Sequence, residues 1–269
     1  MDEHQKVSQS PTFYRPYTYD PPPPKSTSRR PVARFLFWIS LLIGLPVILF
    51  GLSWLITLPD VTALARTNPT STALIEARQI EAKGKGRTIG RHWIWVPLSR
   101  ISPHLHHAVV AAEDASFFSH EGFDWEGIKD AAMYNLEAGE LKRGGSTITQ
   151  QLAKNLYLSS ERSLLRKARE ALITYHLEQH LSKKRILELY LNVAEWGQGI
   201  YGAEAAAQHH FGKPSLELTA DEAAWLAAIL PSPRRYDPLR KTTFLTRRHE
   251  RLLKLINRQS GSSAPVATE

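Results

Sequence analysis

Hydrophobic positions form one long uninterrupted run near the N-terminus, and further along the chain they recur at helical spacing. The run covers residues 35–58 and contains no charged residue in 24 positions. A helix of this length, at ~1.5 Å rise per residue, spans the ~30 Å hydrocarbon core of a bilayer even when it is tilted. Trp38 and Trp54 lie near its two ends, where amphipathic rings favour the membrane interface. The pattern therefore predicts one transmembrane anchor over 35–58.

The charges that flank this run predict its orientation. Four basic residues precede it, namely Lys25, Arg29, Arg30 and Arg34. Asp60 follows it, so the positive-inside rule places the N-terminus in the cytoplasm and residues 59–269 on the other side of the membrane. Two alternatives remain open: a cleaved signal peptide, because residues 63–65 (Ala-Leu-Ala) resemble a cleavage site, and a buried helix of a soluble protein. The apolar core of a signal peptide runs only ~7–15 residues, which favours the anchor.

Composition divides the rest of the chain. Residues 1–34 are rich in proline and cannot build a core, so we predict a disordered cytoplasmic tail. Residues 59–92 contain Pro69 and the flexible Gly84-Lys85-Gly86, and we predict an extracytoplasmic linker there. The remaining regions are predicted to be a helical domain and a C-terminal helix with a tail, over 93–245 and 246–269.

The region after the predicted linker is mostly helical by pattern. Ser102-Pro103 is a helix-entry signal, with proline just inside the helix, and Pro231 and Pro233 stop the last helix of the domain. Seven segments are predicted as helices: 101–114, 125–138, 146–158, 163–181, 183–195, 200–210 and 219–230. Only a short strand over 93–96 is predicted. The fold class is therefore mainly α.

The helix over 163–181 combines a charged stripe with an apolar one. At ~100° per residue, Arg162, Arg166 and Glu170 share one stripe. The opposite face carries four residues that we expect to be buried, namely Leu165, Ala168, Leu172 and Tyr175. The charged stripe would then face either solvent or a cleft.

Net charge and cysteine content limit the function classes. The chain carries 34 Lys and Arg against 26 Asp and Glu, a net charge of +8, which suits an anionic partner such as a phosphorylated lipid, a membrane surface or a nucleic acid. There is no cysteine, which excludes disulfides and thiolate metal sites.

Two glutamates, Glu113 and Glu170, have sequence neighbours of contrasting character. Glu113 follows an apolar helical run and precedes an aromatic loop, whereas Glu170 follows several arginines and a lysine. A carboxyl group beside apolar groups can act as a base near neutral pH, and one among cations stays ionised and makes a poor acid. The pair thus suggests one proton acceptor and one anion-handling site, unlike the acid and nucleophile of an ordinary glycosidase.

Five groups of residues follow one another between Glu113 and Pro238. They are Glu113-Asp114 with Phe117, His120, Gly122 and Asp124; Gly144 to Gln151 with Lys154; Arg166-Lys167 with Glu170; Glu188, Tyr190 and Asn192 with Gly197, Gly199 and Gly202; and Glu222 with Pro231, Tyr236 and Pro238. In this order they resemble the five signatures of the peptidoglycan glycosyltransferase family (glycosyltransferase 51). The predicted anchor and short C-terminal region make the chain most similar to the monofunctional members of that family.

The resemblance implies a fold, an activity and a location. The fold would be a lysozyme-like, two-lobed glycosyltransferase domain. The activity would be the polymerisation of lipid II into β-1,4-linked glycan strands, by inverting transfer with release of the lipid diphosphate. The implied partners are lipid II, the growing lipid-linked glycan, the membrane and proteins of cell-wall synthesis or division, with no nucleic acid. The location would be the inner (cytoplasmic) membrane, with the catalytic domain in the periplasm.

The resemblance also implies roles for individual residues. Glu113 would be the base that deprotonates the acceptor hydroxyl. Glu170 would organise the cations around the leaving diphosphate, or help to hold a divalent cation, Mg or Mn. The cations that stabilise the diphosphate would be Lys154, Arg162 and Arg166. Asp114 and His120 would orient the loop around Glu113. The residues that bind sugar or phosphate would be Ser146, Thr147, Gln150 and Gln151. For Asp114, His120, Ser146, Thr147 and Gln150 a purely structural role is the alternative.

Three further expectations concern the alternatives and the membrane. Two other functions compete with the polymerisation of lipid II. The cationic surroundings of Glu170 argue against a membrane-anchored lytic glycosidase, and the presence of both carboxylates argues against a non-catalytic scaffold. No Ser-x-x-Lys motif occurs, so we expect glycan synthesis without transpeptidase activity. The segment 125–145 is expected to be either an interfacial patch on the membrane or an ordinary core helix.

Overall fold

The apolar run near the N-terminus is a single helix, α1 (Arg30–Ile56), in the computed structural model of the chain. The structure describes residues 17–21, 30–139, 144–159, 161 and 163–262, without the side chains of 30–31, 55–56 and 259–262. Residues 32–54 are long and apolar enough to cross a membrane, with a mean hydropathy of 2.5. None of that stretch is buried, so the structure does not support the alternative of a buried soluble helix.

The chain divides into two compact units, Met1–Thr57 and Leu58–Glu269. The second unit begins with ordered chain. A short 3-10 helix, Thr62–Ala65, buries Leu64, and Val61 just before it is also buried in the hydrophobic core. Arg185 donates from Nε to the carbonyl oxygen of Leu64 over 2.7 Å. Cleavage after Ala65 would remove these residues from the core, which argues against the signal-peptide alternative.

The stretch predicted as a linker contains a helix that the sequence analysis did not anticipate. Helix α2 (Ala73–Gly84) begins at the side-chain cap Thr72, and its residues Ile75 and Ala82 are buried. The glycines that suggested flexibility end this helix: Gly84 is its last residue, and Gly86 has a φ of 64°. Much of the stretch 59–92 is therefore packed into the second unit, of which it is a part.

All seven predicted helices are present, with ends that shift by a few residues. They are α3 (Pro103–Glu113), α4 (Trp125–Ala138), α5 (Ile148–Tyr157), α6 (Leu164–His180), α7 (Lys183–Val193), α8 (Ala203–Phe211) and α9 (Ala220–Ile229). A further helix, α10 (Thr243–Ser262), follows them. Two 3-10 helices, Leu98–Arg100 and Ser215–Glu217, lie before α3 and after α8. The mainly α fold class is confirmed.

The core of the second unit surrounds α9. Every residue from 223 to 229 in this helix is buried, and α9 packs against α3 and α10. Helix α5 packs against α6, α7 and α2. This arrangement fixes the C-terminal end of α3 and the N-terminal end of α5, where the candidate site lies.

A small sheet pairs the strand predicted near residue 93 with two strands that the pattern did not reveal. The strands are β1 (His92–Trp93), β2 (Glu195–Gly197) and β3 (Ile200–Tyr201), in the order β1-β3-β2. The first pair is parallel and the second is antiparallel. Gly199 turns the chain between β2 and β3 with a φ of 77°, and a Cβ there would lie 2.3 Å from the carbonyl oxygen of Gly90. Only glycine fits this turn.

The prediction for the apolar face of α6 was wrong. Leu165 and Tyr175 are 58% and 55% exposed, and Ala168 is exposed as well. The buried residues of this helix are Glu170, Ile173, Thr174 and Leu177. The helix carries two apolar stripes, and spacing alone did not show which of them packs against α5 and α7. Glu170 can lie in the buried stripe because cations compensate its charge.

Candidate active site

Glu113 is the last residue of α3, and this helix is held rigidly by its buried residues. Leu105, Ala108 and Val109 are fully buried in the core. The Glu113 side chain is 12% exposed. Its Oε2 accepts a hydrogen bond from Gln151 Nε2 over 2.9 Å, and its Oε1 lies 3.2 Å from Arg248 Nη2. The carboxylate thus has one neutral and one cationic partner.

The surroundings of Glu113 raise the pKa of its carboxyl group. Burial is the largest cause, because removal from water disfavours the charged form. The hydrogen bond from Gln151 and the charges of Arg248 and Lys154 oppose this effect without cancelling it. A carboxylate with a raised pKa is a better proton acceptor near neutral pH.

Asp114 and His120 fix the loop that follows Glu113. Asp114 is buried; its Oδ2 accepts from the backbone N–H of Ile148 over 2.9 Å, and its Oδ1 lies 2.9 Å from His120 Nε2. His120 Nδ1 accepts from the N–H of Gly122 over 3.1 Å, so the ring proton belongs on Nε2, which donates to Asp114. Gly122 has a φ of 89°, which favours glycine at this position. The loop is thereby tied to the start of α5, as the orienting role predicts.

Thr147 and Gln150 form a capping box at the start of α5. The Thr147 hydroxyl accepts from the N–H of Gln150, and Gln150 Oε1 accepts from the N–H of Thr147. Both residues are buried, at 2% and 4% exposure. The structure therefore supports the structural alternative for this pair. Ser146, just before them, is exposed and lines two cavities, of 260 and 750 Å³.

Gln151 connects the carboxylate to the neighbouring helix. Its Nε2 donates to Glu113, and its Oε1 accepts from the hydroxyl of Tyr190 over 3.1 Å. Tyr190 is buried, and burial raises its pKa well above the ordinary value, so it remains a donor. If the Gln151 amide turned over, its Oε1 would face a carboxylate oxygen that can only accept, so the hydrogen bond to Glu113 fixes the orientation of the amide.

Glu170 lies at the other part of the site, buried at 3% exposure between cations. Its Oε2 accepts from Arg166 Nη1 over 2.7 Å, and its Oε1 from Lys167 Nζ. Desolvation and the repulsion of Arg166 and Lys167 lower the pKa of Lys154, while attraction to Glu170 and Glu113 opposes this. Lys154 is therefore within electrostatic reach of both carboxylates. Arg162 lies outside the described residues.

Adjacent cavities bring the two parts together around α5. The 260 Å³ cavity is lined by Glu113 and Asp114, among others. A cavity of 390 Å³ is lined by Gln151, Lys154 and Arg166. Because Gln151 also donates to Glu113, the carboxylate and the cations lie on two sides of one glutamine. The shared role of these residues in one site stays a prediction.

The family model for Transglycosylase matches residues 83–257 of the chain. The chain belongs to this transglycosylase family. Among its relatives, a protein of Janthinobacterium sp. (strain Marseille) is 45% identical over 83% of this chain and 96% of its own length. A protein of Herminiimonas arsenicoxydans is 44% identical over 86% of this chain and 96% of its own length. A protein of Azoarcus sp. (strain BH72) is 52% identical over 69% of this chain and 81% of its own length. All three are named biosynthetic peptidoglycan transglycosylase.

Membership of the transglycosylase family confirms the lysozyme-like fold class and the family predicted from the motifs. The N-terminal apolar helix is compatible with a single-pass membrane anchor. Leu58–Glu269 is one compact unit, and its division into two lobes stays a prediction.

Sequence reasoning missed two arginines of this transglycosylase site. Arg78, on α2, lines the 390 Å³ cavity with Lys154 and Arg166, and pairs with Glu195 over 2.9 Å. It was missed because its segment was predicted to be a linker. Arg248, on α10, contacts Glu113 from a region to which the motifs gave no role. The apolar periodicity of α10 was the available signal, since it marks a helix packed on the core.

A divalent cation fits this site only if a substrate supplies some of its ligands. Among the residues that the structure describes, no cluster of three or more His, Asp or Glu could hold a metal ion. Glu170 is the carboxylate beside the cations, and among the described residues each of its oxygens accepts one hydrogen bond, which leaves lone pairs for another ligand. Mg²⁺ is commonly bound by one or two carboxylates together with substrate phosphates.

Proposed function

We propose that this chain polymerises lipid II into β-1,4-linked glycan strands, by inverting transfer and without transpeptidase activity. The observation that carries the proposal is the pairing, across Gln151, of a carboxylate with a raised pKa and a group of cations in an adjoining cavity. The names of the relatives support the same activity. A sugar hydroxyl needs a base when it attacks, whereas a diphosphate leaves as an anion that needs positive charge.

Glu113 is the proposed base. The acceptor 4-hydroxyl gives its proton to the Glu113 carboxylate while its oxygen forms a bond to C1 of the donor sugar. Gln151 keeps the carboxylate oriented through its hydrogen bond to Oε2. The raised pKa makes the carboxylate a competent acceptor, since base catalysis is most efficient when the pKa lies near the working pH.

Lys154 and Arg166 are the proposed stabilisers of the leaving diphosphate. As the bond between C1 and the diphosphate oxygen breaks, its electron pair stays with the diphosphate. Arg166 lines the 390 Å³ cavity together with Lys154, where its guanidinium can donate to a phosphate oxygen. Glu170 holds the Arg166 guanidinium in place through Nη1. Arg162 and Ser146 remain proposed substrate ligands.

The divalent cation, Mg or Mn, is also proposed. Glu170 would be its protein ligand, with the other ligands supplied by the diphosphate and water. When bound, it would neutralise charge that develops on the leaving group.

The cellular setting is proposed from the sequence. We propose that 35–58 anchors the protein in the inner membrane, with residues 1–34 as a cytoplasmic tail and 93–245 as the periplasmic catalytic domain. The stretch 59–92 would join them, with 246–269 as a C-terminal extension. Proteins of cell-wall synthesis or division remain candidate partners.

Helix α4 supports a location at the membrane surface. Ala131 is the one buried residue of this helix, so α4 is not an ordinary core helix. Trp125, Met133 and Leu136 are 72%, 52% and 84% exposed. An amphipathic helix of this kind can lie in the membrane interface, where a lipid-linked donor presents its diphosphate.

A lytic glycosidase is the weaker candidate. It could use Glu113, whose pKa is raised, as the proton donor to the glycosidic oxygen, but it would have no use for the cations that line the cavity of Lys154 and Arg166. Such cations suit a leaving group that departs as an anion.

The decisive experiment incubates the purified full-length protein with lipid II and Mg²⁺ or Mn²⁺. We expect a product that lysozyme digests and that contains no peptide cross-links. Release of fragments from finished glycan, without any polymer from lipid II, would favour the lytic alternative and contradict the proposal.

A further inference from the structure

Helix α10 is seated firmly on the core of the second unit. Its inward face is formed by three buried residues, namely Leu245, Leu252 and Ile256. His249 stacks on Trp225 of α9, with 4.0 Å between the ring centroids, and its Nε2 lies 2.9 Å from Asp221 Oδ1. These contacts fix the position of the neighbouring residue, Arg248.

Arg248 reaches the C-terminal end of α3. Its Nη2 donates to the carbonyl oxygen of Ala112 over 3.3 Å and to Glu113 Oε1 over 3.2 Å. The carbonyl of Ala112 belongs to the last turn of α3, where carbonyls lack partners within the helix and the helix dipole is negative. A guanidinium is favourable at this point even without a carboxylate. Arg248 is therefore held by two acceptors at once.

The groups around Glu113 come from four elements. Arg248 faces it from α10, Lys154 and the neutral Gln151 from α5, Tyr190 from α7, and Asp114 from the following loop. Among the described residues, Arg248 is the cation in direct contact with the carboxylate. Lys154 acts at longer range and also faces Glu170.

We infer that Arg248 is a positioning residue for Glu113: it holds Oε1 in place, opposite the Gln151 contact at Oε2, and favours the ionised carboxylate that accepts the proton. This inference rests on the proposed function, because it takes Glu113 to be the base. The single contact through Nη2 leaves Glu113 with only part of the compensation that a bidentate pair would supply. The contact thereby opposes the effect of burial on the pKa of Glu113 without cancelling it, which suits a proton acceptor.

Two variants of the full-length protein test the inference. Arg248→Met keeps much of the aliphatic stem and removes the charge, and Arg248→Lys keeps the charge. We expect Arg248→Met to move the acidic limb of kcat/KM for lipid II to higher pH. Activity on that limb should fall about tenfold, which corresponds to one pKa unit, and should recover as the pH rises. Arg248→Lys should restore much of the activity on the limb. Arg247→Met is the matched control on the exposed side of α10 and should leave the profile unchanged.

A second readout does not depend on activity. Protein labelled with ¹³C at glutamate carboxyls is titrated by NMR, and the Glu113 resonance is assigned as the one missing from Glu113→Gln. Its pKa should be higher in Arg248→Met than in the wild type. An unchanged Glu113 titration, or an equal loss of activity at every pH, would refute the inference. If Arg248→Met does not fold, Arg248→Gln, which also removes the charge but can still donate a hydrogen bond, is titrated instead, and an unchanged Glu113 pKa in that variant would refute the inference. If the wild type makes no polymer, the proposed function fails while the titration still tests the contact.

Discussion

Replacing Glu113 with glutamine is the sharpest test of the proposed base. Glutamine has nearly the same shape, and its carbonyl oxygen can still accept from Gln151 Nε2. It cannot take a proton from the acceptor hydroxyl. A positioned general base typically contributes ~10²–10⁴-fold to a rate, or ~3–5 kcal/mol of transition-state stabilisation at ~1.4 kcal/mol per tenfold. We expect polymer formation by Glu113→Gln to fall by that factor.

The pKa of Glu113 adds a prediction about stability with a definite sign. Its folded pKa is raised above the ordinary value of 4.5 by burial. A raised carboxyl pKa stabilises the fold below pH ~4.5, and this contribution is lost as the pH rises through the folded pKa. Near pH 4 wild type and Glu113→Gln both carry a neutral group at this position, so their free energies of unfolding should be similar. The variant should then gain on the wild type as the pH rises toward neutrality.

Two assays measure these effects. Polymer formation from lipid II is followed over time between pH 5 and pH 9, and the free energy of unfolding is measured by denaturant titration over pH 4 to 8. Circular dichroism should show unchanged helix content. Turnover of Glu113→Gln within twofold of the wild type would refute the base assignment. A stability difference that shrinks as the pH rises would refute the electrostatic argument.

Three further predictions concern other parts of the site. Glu170→Gln should lower polymer formation at least ~100-fold and the free energy of unfolding by ~1–3 kcal/mol, because Arg166 and Lys167 would lose their anionic partner and keep only a neutral one. The control Glu250→Gln, at an exposed position, should change neither quantity in the same assays. Gly122→Ala should lower the free energy of unfolding by ~1–3 kcal/mol in denaturant titration, because its Cβ would lie 2.9 Å from Thr174 Cγ2 and the backbone φ is 89°. In the control Gly144→Ala the new Cβ meets no described atom within 4 Å, so the free energy of unfolding should not change. Chelation with EDTA should slow polymer formation and added Mg²⁺ or Mn²⁺ should restore it; an unchanged rate would argue against the proposed cation.

The sequence motifs predicted which residues lie near one another at the site better than hydrophobic periodicity predicted how the surrounding helices pack. Asp114 and His120 were predicted to orient the loop around Glu113, and the structure joins these two residues to each other, to Ile148 and to Gly122. Such short-range relations follow from helix ends and turn chemistry, which the sequence carries locally. The role of the Thr147 and Gln150 pair remained open at the sequence level, because a capping box and a ligand-binding helix start use the same residue types.

Long-range packing accounts for what the sequence could not predict. The buried side of α6 depends on which of its two apolar stripes meets α5, and spacing within one helix does not contain that information. Arg248 is 135 residues from Glu113 in the chain, and only the packing of α10 on α3 and α9 brings the two together. Arg78 reaches the cavity of Lys154 because α2 packs on α5. In each case a contact between distant elements decided the outcome.

The different partners of the two carboxylates explain why one can act as a base and the other as an organiser of cations. Glu170 meets a cation at each oxygen, so its carboxylate holds Arg166 and Lys167 in place. Glu113 meets a neutral amide at one oxygen and a single guanidinium nitrogen at the other, so burial outweighs the compensation and its pKa is raised. A second cation at Oε2 would lower that pKa and weaken the base. The neutral Gln151 between Glu113 and the cation-lined cavity therefore has an electrostatic role as well as a geometric one: it holds the carboxylate without adding a charge.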